Sequence, residues 1–193
     1  MKKIVFLVVI LLAFAFTKTD RAIKSTSVVI SPKSSLMVKG STNINNFKCI
    51  YNIEKLNNPI PVLYFLSNNQ LKFKETVLIL DNKCFDCGGK AINNDFQKIL
   101  KTESYPQIKM FLKQVNGLEF NKDLEALVDI EIAGVKKPYT VVVTISKENE
   151  LTINGGLKIN LKDFNIESPK KLFGLIKIDE MIEIDFSLLV NEK

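Results

Sequence analysis

Leu124-Glu125-Ala126-Leu127-Val128-Asp129-Ile130-Glu131-Ile132 decides the fold class. Its even positions are all apolar, and its odd positions are acidic except Leu127. Successive side chains of a β-strand point to opposite faces, so this stretch reads as a strand with one wet and one dry face. Residues 134–138, with Gly134 and Pro138, read as the break that ends it. Tyr139, Val141, Val143 and Ile145 then alternate with Thr140, Val142 and Thr144. A polar turn over 147–149 leads to Leu151, Ile153, Gly155, Leu157, Ile159 and Leu161, which alternate with Thr152, Asn154, Lys158 and Asn160. Three long strands joined by short turns form an antiparallel meander.

The pattern extends outward in both directions. Ile182, Ile184, Phe186, Leu188 and Val190 alternate with Glu183, Asp185 and Ser187. Earlier strands are expected over 28–31, 36–42, 47–53, 71–80 and 108–114. No repeat and no low-complexity linker divides them, so the chain reads as one all-β domain. One short helix is expected, with Asn94 as its cap, Gln97 three residues on, Phe96, Ile99 and Leu100 on one face, and an end near Thr102 before Tyr105-Pro106. One helix cannot cover so much sheet, so the dry faces bury against each other in a barrel or a sandwich. Strands of about ten residues, roughly 33 Å long, favour an elongated antiparallel barrel of about eight strands.

The N-terminus carries a separate message. Lys2 and Lys3 precede thirteen apolar residues, 4–16. That run is shorter than the ~20 residues a membrane-crossing helix needs, and its basic start and Ala13-Phe14-Ala15 step fit a secretory signal peptide. Residues 1–17 are taken as the signal and 18–193 as the domain, with a cut between Ala15 and Asp20. The expected location is the periplasm or outside the cell. Export into an oxidising compartment favours one disulfide among Cys49, Cys84 and Cys87. A Cys49–Cys87 bridge closes a long loop worth roughly 3–4 kcal/mol, and Cys84–Cys87 is the rival pairing.

Composition removes several function classes. The chain has no His, which takes away the usual general base, zinc ligand and pH switch, and with them Ser-His-Asp chemistry. The net charge of +6 is dispersed, so no nucleic-acid-binding arm is expected. Cys84-Phe85-Asp86-Cys87 has the spacing of a thioredoxin-type redox pair, but several residues separate it from the helix whose N-terminus would activate a thiol. The acids Asp163, Glu167, Asp179, Glu180, Glu183 and Asp185 read as a solvated face rather than a catalytic pair. No phosphate-binding loop is present. No catalytic residue, metal or cofactor is expected. Among thirteen Phe, Phe47, Phe73, Phe111, Phe120, Phe164 and Phe186 either fill a solid core or line a tunnel, since both show the same alternation.

Several segments together resemble the YceI-like family. They are Gly40-Ser41-Thr42-Asn43-Ile44-Asn45-Asn46-Phe47, Cys87-Gly88-Gly89-Lys90-Ala91-Ile92-Asn93-Asn94-Asp95-Phe96, Tyr105-Pro106-Gln107-Ile108, Ala133-Gly134-Val135-Lys136-Lys137-Pro138, and Asp163-Phe164-Asn165-Ile166 followed by Ser168-Pro169 and Leu172-Phe173-Gly174. The resemblance implies an exported bacterial protein with a lipocalin-like barrel, of a kind that in some members holds a polyisoprenoid or another long amphiphile. The chain departs from the family in lacking early-strand His residues and in carrying Ile92 where Met is common. The partner so implied is a long-chain lipid, and the mild basic charge allows a transient, weak attraction to a membrane surface. The expected mouth lies near the helix and the late loops, lined by Phe96, Ile99, Phe111, Phe164, Leu172 and Phe173.

Overall fold

The structure is a computed structural model that describes residues 22–117, 119–167, 170–171 and 176–193. The chain runs β1 (Lys24–Ile30), β2 (Ser35–Ser41), β3 (Asn46–Tyr51), β4 (Ile60–Ser67), β5 (Gln70–Lys74), β6 (Val77–Asp81) and β7 (Phe85–Asp86). The helix α1 (Lys90–Ile99) follows, then β8 (Gln107–Asn116), β9 (Asp123–Ile132), β10 (Val135–Lys147) and β11 (Leu151–Asn160). β12 (Lys170–Lys171) and β13 (Ile176–Lys177) form a separate two-stranded ribbon, and β14 (Met181–Glu192) completes the main sheet.

Eight strands close into a ring in the order β1, β4, β5, β8, β9, β10, β11 and β14, with every neighbouring pair antiparallel. The pairing of Ile30 with Val190 and Val28 with Glu192 shuts the seam and decides for a barrel over a sandwich. Two walls are built in halves. β14 pairs with β1 near one end of the barrel and with β2 near the other, and β8 pairs likewise with β5 and then β6. β3 extends the sheet beyond β2 and carries the short β7.

The meander forms as its alternation demands. Leu124, Ala126, Val128, Ile130 and Ile132 are all buried, and their β10 partners Val143, Val141 and Tyr139 share that inward face. Leu127, the odd member of the pattern, is 40% exposed on the outside. The turn is tighter than the sequence suggests. Only Ala133 (φ 49°) and Gly134 (φ 79°) lie between the paired residues Ile132 and Val135, as a two-residue hairpin with both φ positive. Residues 135–138 are therefore strand rather than break. Pro138 is tolerated because β10–β11 pairing runs only from Val142 to Lys147, so this part of β10 has no strand on that side.

Three further expectations need correction. Residues 71–80 are not one strand, because Glu75 takes a left-handed φ of 56° and splits β5 from β6. β4 was not anticipated. Its Val62-Leu63-Tyr64-Phe65-Leu66 run lacks alternation because both faces are partly covered. The Asn68-Asn69 turn that joins it to β5 has positive φ at both residues, as asparagine tolerates. The helix starts at Lys90, four residues before the expected cap, so Asn94 lies inside it. Gly89 occupies the N-cap without a side-chain bond. Asn93 ties the first turn down instead: its Oδ1 accepts from the Cys87 N–H at 2.7 Å, and its amide donates to Asp86 Oδ1 at 3.0 Å.

Cys49 and Cys87 form the disulfide, and Cys84 is free and half-buried. The bridge pins β3 to the loop ahead of α1, where β3 and β7 share only the pairs Ile50–Asp86 and Tyr51–Phe85.

Candidate functional site: the barrel interior

The two ends of the barrel differ. The helix end carries the turn 133–134, the segment 161–164 and the packing of α1. The hairpin end carries the turns 68–69, 117–122 and 148–150. At the helix end the interior is mostly solid: Val38, Leu80, Ile108, Ile130, Ile132, Ile159, Leu161 and Ile166 are all buried. Phe164 is the centre of this plug, with 0% exposure. It sits on a 3-10 turn, Leu161–Phe164, whose start is held by Asn160 Oδ1 accepting from the Lys162 N–H at 3.0 Å. The turn fills the gap where β10 and β11 part. The Phe164 ring stacks on Tyr139 at 6.0 Å, and the Tyr139 hydroxyl donates to Asp163 at 2.8 Å. Burial, and then the neighbouring Asp163 carboxylate, push the Tyr139 phenol up to about 12.

Toward the hairpin end the register sends Val62 and Tyr64 of β4, Leu71 and Phe73 of β5, Leu112 of β8, Ile145 of β10, Ile153 of β11, and Phe186 and Leu188 of β14 to the inner face. None of these is fully buried, although Val115, Leu124, Ala126 and Val143 on the same face are. Tyr64 and Phe73 are directly paired, with ring centroids 6.4 Å apart. Gly155 lies in the same layer. A Cβ there would come within 2.6 Å of the Phe186 ring, so the glycine leaves room for that side chain. These side chains are apolar except for the Tyr64 phenol, and the same register sets Lys24 opposite Tyr64 at the open edge of the layer. The layer offers apolar contact with one phenol.

The expected lining residues fall elsewhere. Phe96 is half-buried and packs on Phe85 at 5.1 Å, and Ile99 borders a surface depression of about 480 Å³ with Lys98, Lys101, Asn165 and Glu167. Phe164 belongs to the plug. Phe111 faces outward: it pairs with Asp129 on the face that carries Glu131 and Lys109, and Lys136 Nζ lies 3.6 Å from its ring centroid. That cation–π contact accounts for an aromatic ring on a wet face. Leu172 and Phe173 lie outside the described residues. A second depression, of about 610 Å³, is bordered by Lys39, Phe47, Lys48, Lys158, Met181 and Glu183 at the helix end. Both depressions are rimmed by charged side chains, which suits them poorly to a hydrocarbon chain. The inward layer lacks that drawback.

The redox spacing is not used as a pair, since Cys87 is bonded to Cys49 and α1 begins beyond both Gly88 and Gly89. Of the acidic cluster, Asp163 holds Tyr139, Asp185 pairs with Lys39, and Glu180 pairs with Lys162 at 2.6 Å.

The YceI-like domain family model matches residues 65–190, about two thirds of the sequence. The chain belongs to the YceI-like domain family. Among solved structures, a polyisoprenoid binding domain from Saccharophagus degradans, implicated in plant cell wall breakdown, is similar at TM-score 0.62 and 15% identity, over 88% of this chain and 100% of that one. BcnA of Burkholderia cenocepacia is similar at TM-score 0.59 and 18% identity, over 82% and 96%. A Campylobacter jejuni YceI protein follows at TM-score 0.53 and 16% identity, over 68% and 80%. At these identities the likeness is one of fold. No curated protein matches the chain. The YceI-like match begins inside β4, so it takes in the plug, α1 and most of the ring, while β1 to β3 are placed by the structure alone.

Proposed function

We propose that this YceI-like chain is an exported, non-enzymatic protein that holds a long polyisoprenoid or similar amphiphile inside its barrel. One observation carries the reading: an inward, largely half-buried apolar layer with three aromatic rings, Tyr64, Phe73 and Phe186, lies toward the hairpin end, above a solid plug at the helix end. A hydrocarbon tail would enter from the hairpin end and stop against the plug. Each methylene moved from water into such surroundings contributes about 0.8 kcal/mol, so a long tail binds tightly with few polar contacts. A likeness to a domain named for polyisoprenoid binding agrees with this cargo. The leader sequence and the Cys49–Cys87 bridge agree with export, since such bridges persist in oxidising compartments.

Organic extraction of the purified protein followed by mass spectrometry tests the reading. A long-chain lipid near one per protein is the expected result. A protein that carries none, and also takes up none from detergent-solubilised polyisoprenol, would instead be a solid barrel that presents its loops to an envelope partner.

A further inference from the structure

The inner face changes character at the hairpin end. Lys24 is the first residue of β1, Lys147 the last of β10 and Glu192 the last of β14. Register puts all three on the inward side, because alternate residues of a strand share a face. Lys24 is opposite Tyr64 and has the parity of the buried Ile30. Lys147 is opposite Leu151 and follows Val143 and Ile145 on the same side of β10. Glu192 is opposite Val28, on the side of the pair Ile30–Val190. Between this level and the plug the inward positions of the ring carry no charge.

The carboxylate of this set is engaged. Thr26, which also faces inward, donates its hydroxyl to Glu192 Oε1 at 2.5 Å. The two ammonium groups are not: among the described residues neither Lys24 nor Lys147 forms an ion pair. Other acids at this end are bound elsewhere or stand in the turns. Glu119 pairs with Lys122, Glu150 Oε1 accepts from the Asn191 amide at 2.9 Å, and Glu148 is exposed in the β10–β11 turn. A lysine on the outer face would serve solubility equally well. Lys24 and Lys147 instead border the space a tail would fill, each on a flexible stem that can follow a head group at the opening. The Tyr64 phenol adds a neutral donor opposite Lys24.

We infer that Lys24 and Lys147 form a head-group site for an anionic amphiphile, whose phosphate or carboxylate rests at the opening while its tail lies on the apolar layer. The inference deepens the lipid-holding reading and rests on it. A charge-assisted hydrogen bond from an ammonium to an anion is roughly twice as strong as a neutral one. The site therefore selects a charged head over the corresponding alcohol, and the selection weakens as salt screens it.

The probes are a polyprenyl phosphate with the polyprenol of equal chain length, and a long-chain fatty acid with its alcohol. Each pair is offered in equal amounts to the protein in non-ionic detergent, and the bound ratio is read by mass spectrometry after the protein is re-isolated. Wild type is expected to favour the charged member of at least one pair by about tenfold, and the pair that shows it tells phosphate from carboxylate. Lys24→Gln with Lys147→Gln should abolish that preference, and Lys24→Arg with Lys147→Arg should retain it. Lys72→Gln with Lys74→Gln, which removes the same charge from the outer face of β5, should leave it at the wild-type value. Three results overturn the inference while the lipid-holding reading stands. They are binding without preference for either anion, a preference that survives Lys24→Gln with Lys147→Gln, and an equal loss in the outer-face variant. A protein that takes up none of these lipids loses both readings.

Discussion

Removing the disulfide gives a quantity that the structure fixes in advance. Cys49 and Cys87 are 38 residues apart, so in the chain-entropy account their bond restricts the unfolded chain by about 4 kcal/mol. The rival Cys84–Cys87 bond would close a loop of three residues and contribute about 1.5 kcal/mol by the same relation. A Cys49→Ala, Cys87→Ala double variant adds a small void, since Cys49 is 0% exposed, at a further cost of about 1 kcal/mol. Reduced wild type leaves the same loop open without the void. The assay is urea unfolding of oxidised wild type, reduced wild type, the double variant and Cys84→Ala. Reduction is expected to cost about 4 kcal/mol, roughly 10 °C in Tm for a domain of this size. The double variant should cost slightly more, and Cys84→Ala should leave the linkage intact. If reduction costs only about 1.5 kcal/mol, or if Cys84→Ala removes most of the loss on reduction, the pairing and the reasoning built on it are wrong.

Other predictions separate the plug from the open layer. Phe164→Ala should destabilise the fold by about 3–5 kcal/mol, because a fully buried ring and its stack on Tyr139 are lost; lipid extracted from the variant should nevertheless stay at wild-type stoichiometry. Ile153→Trp, in the half-buried layer, should cost no more than about 1–3 kcal/mol yet lower extracted lipid severalfold, and unchanged occupancy would move the cargo elsewhere. Gly134→Ala should cost about 2–4 kcal/mol by thermal unfolding, since φ is 79° and the new Cβ would come 2.4 Å from the Tyr105 ring. Burial raises Tyr51 to about 12, and burial with Asp163 raises Tyr139 to about 12. In the unfolded chain a tyrosine loses its proton near 10. Between pH 10 and 12 the folded state therefore holds protons that the unfolded state has released, and stability should fall as pH rises through that window. A Tyr139→Phe variant should show a shallower fall in the same unfolding series.

How much was legible follows from what each feature depends on. The strands of 124–132, 151–161 and 182–190 were readable because a half-buried strand must alternate, and each sits between one dry and one wet face. β4 was missed because its Val62-Leu63-Tyr64-Phe65-Leu66 run has partial cover on both faces and so no period; the Asn68-Asn69 dipeptide was the signal that could have found it. The helix start was misplaced because Asn93-Asn94 has the composition of a cap, while the bonds that fix the first turn come from a loop bound by the disulfide. Phe111 looked like a lining residue because it is aromatic and lies in a strand. Only its pairing with Asp129 shows which side it faces.

The amino-acid order by itself determined the all-β class, the antiparallel meander, the absence of histidine chemistry and a leader-like start, because these follow from local period and residue type. Tertiary structure alone decided that the ring closes through β1 and β14, that Cys49 rather than Cys84 meets Cys87, and which end of the interior is plugged. Those outcomes join residues as far apart as Ile30 and Val190. Alternation states that a side chain is inward, but only the register of every neighbouring strand fixes how many other side chains reach the same space, and that number separates a packed core from room for a tail.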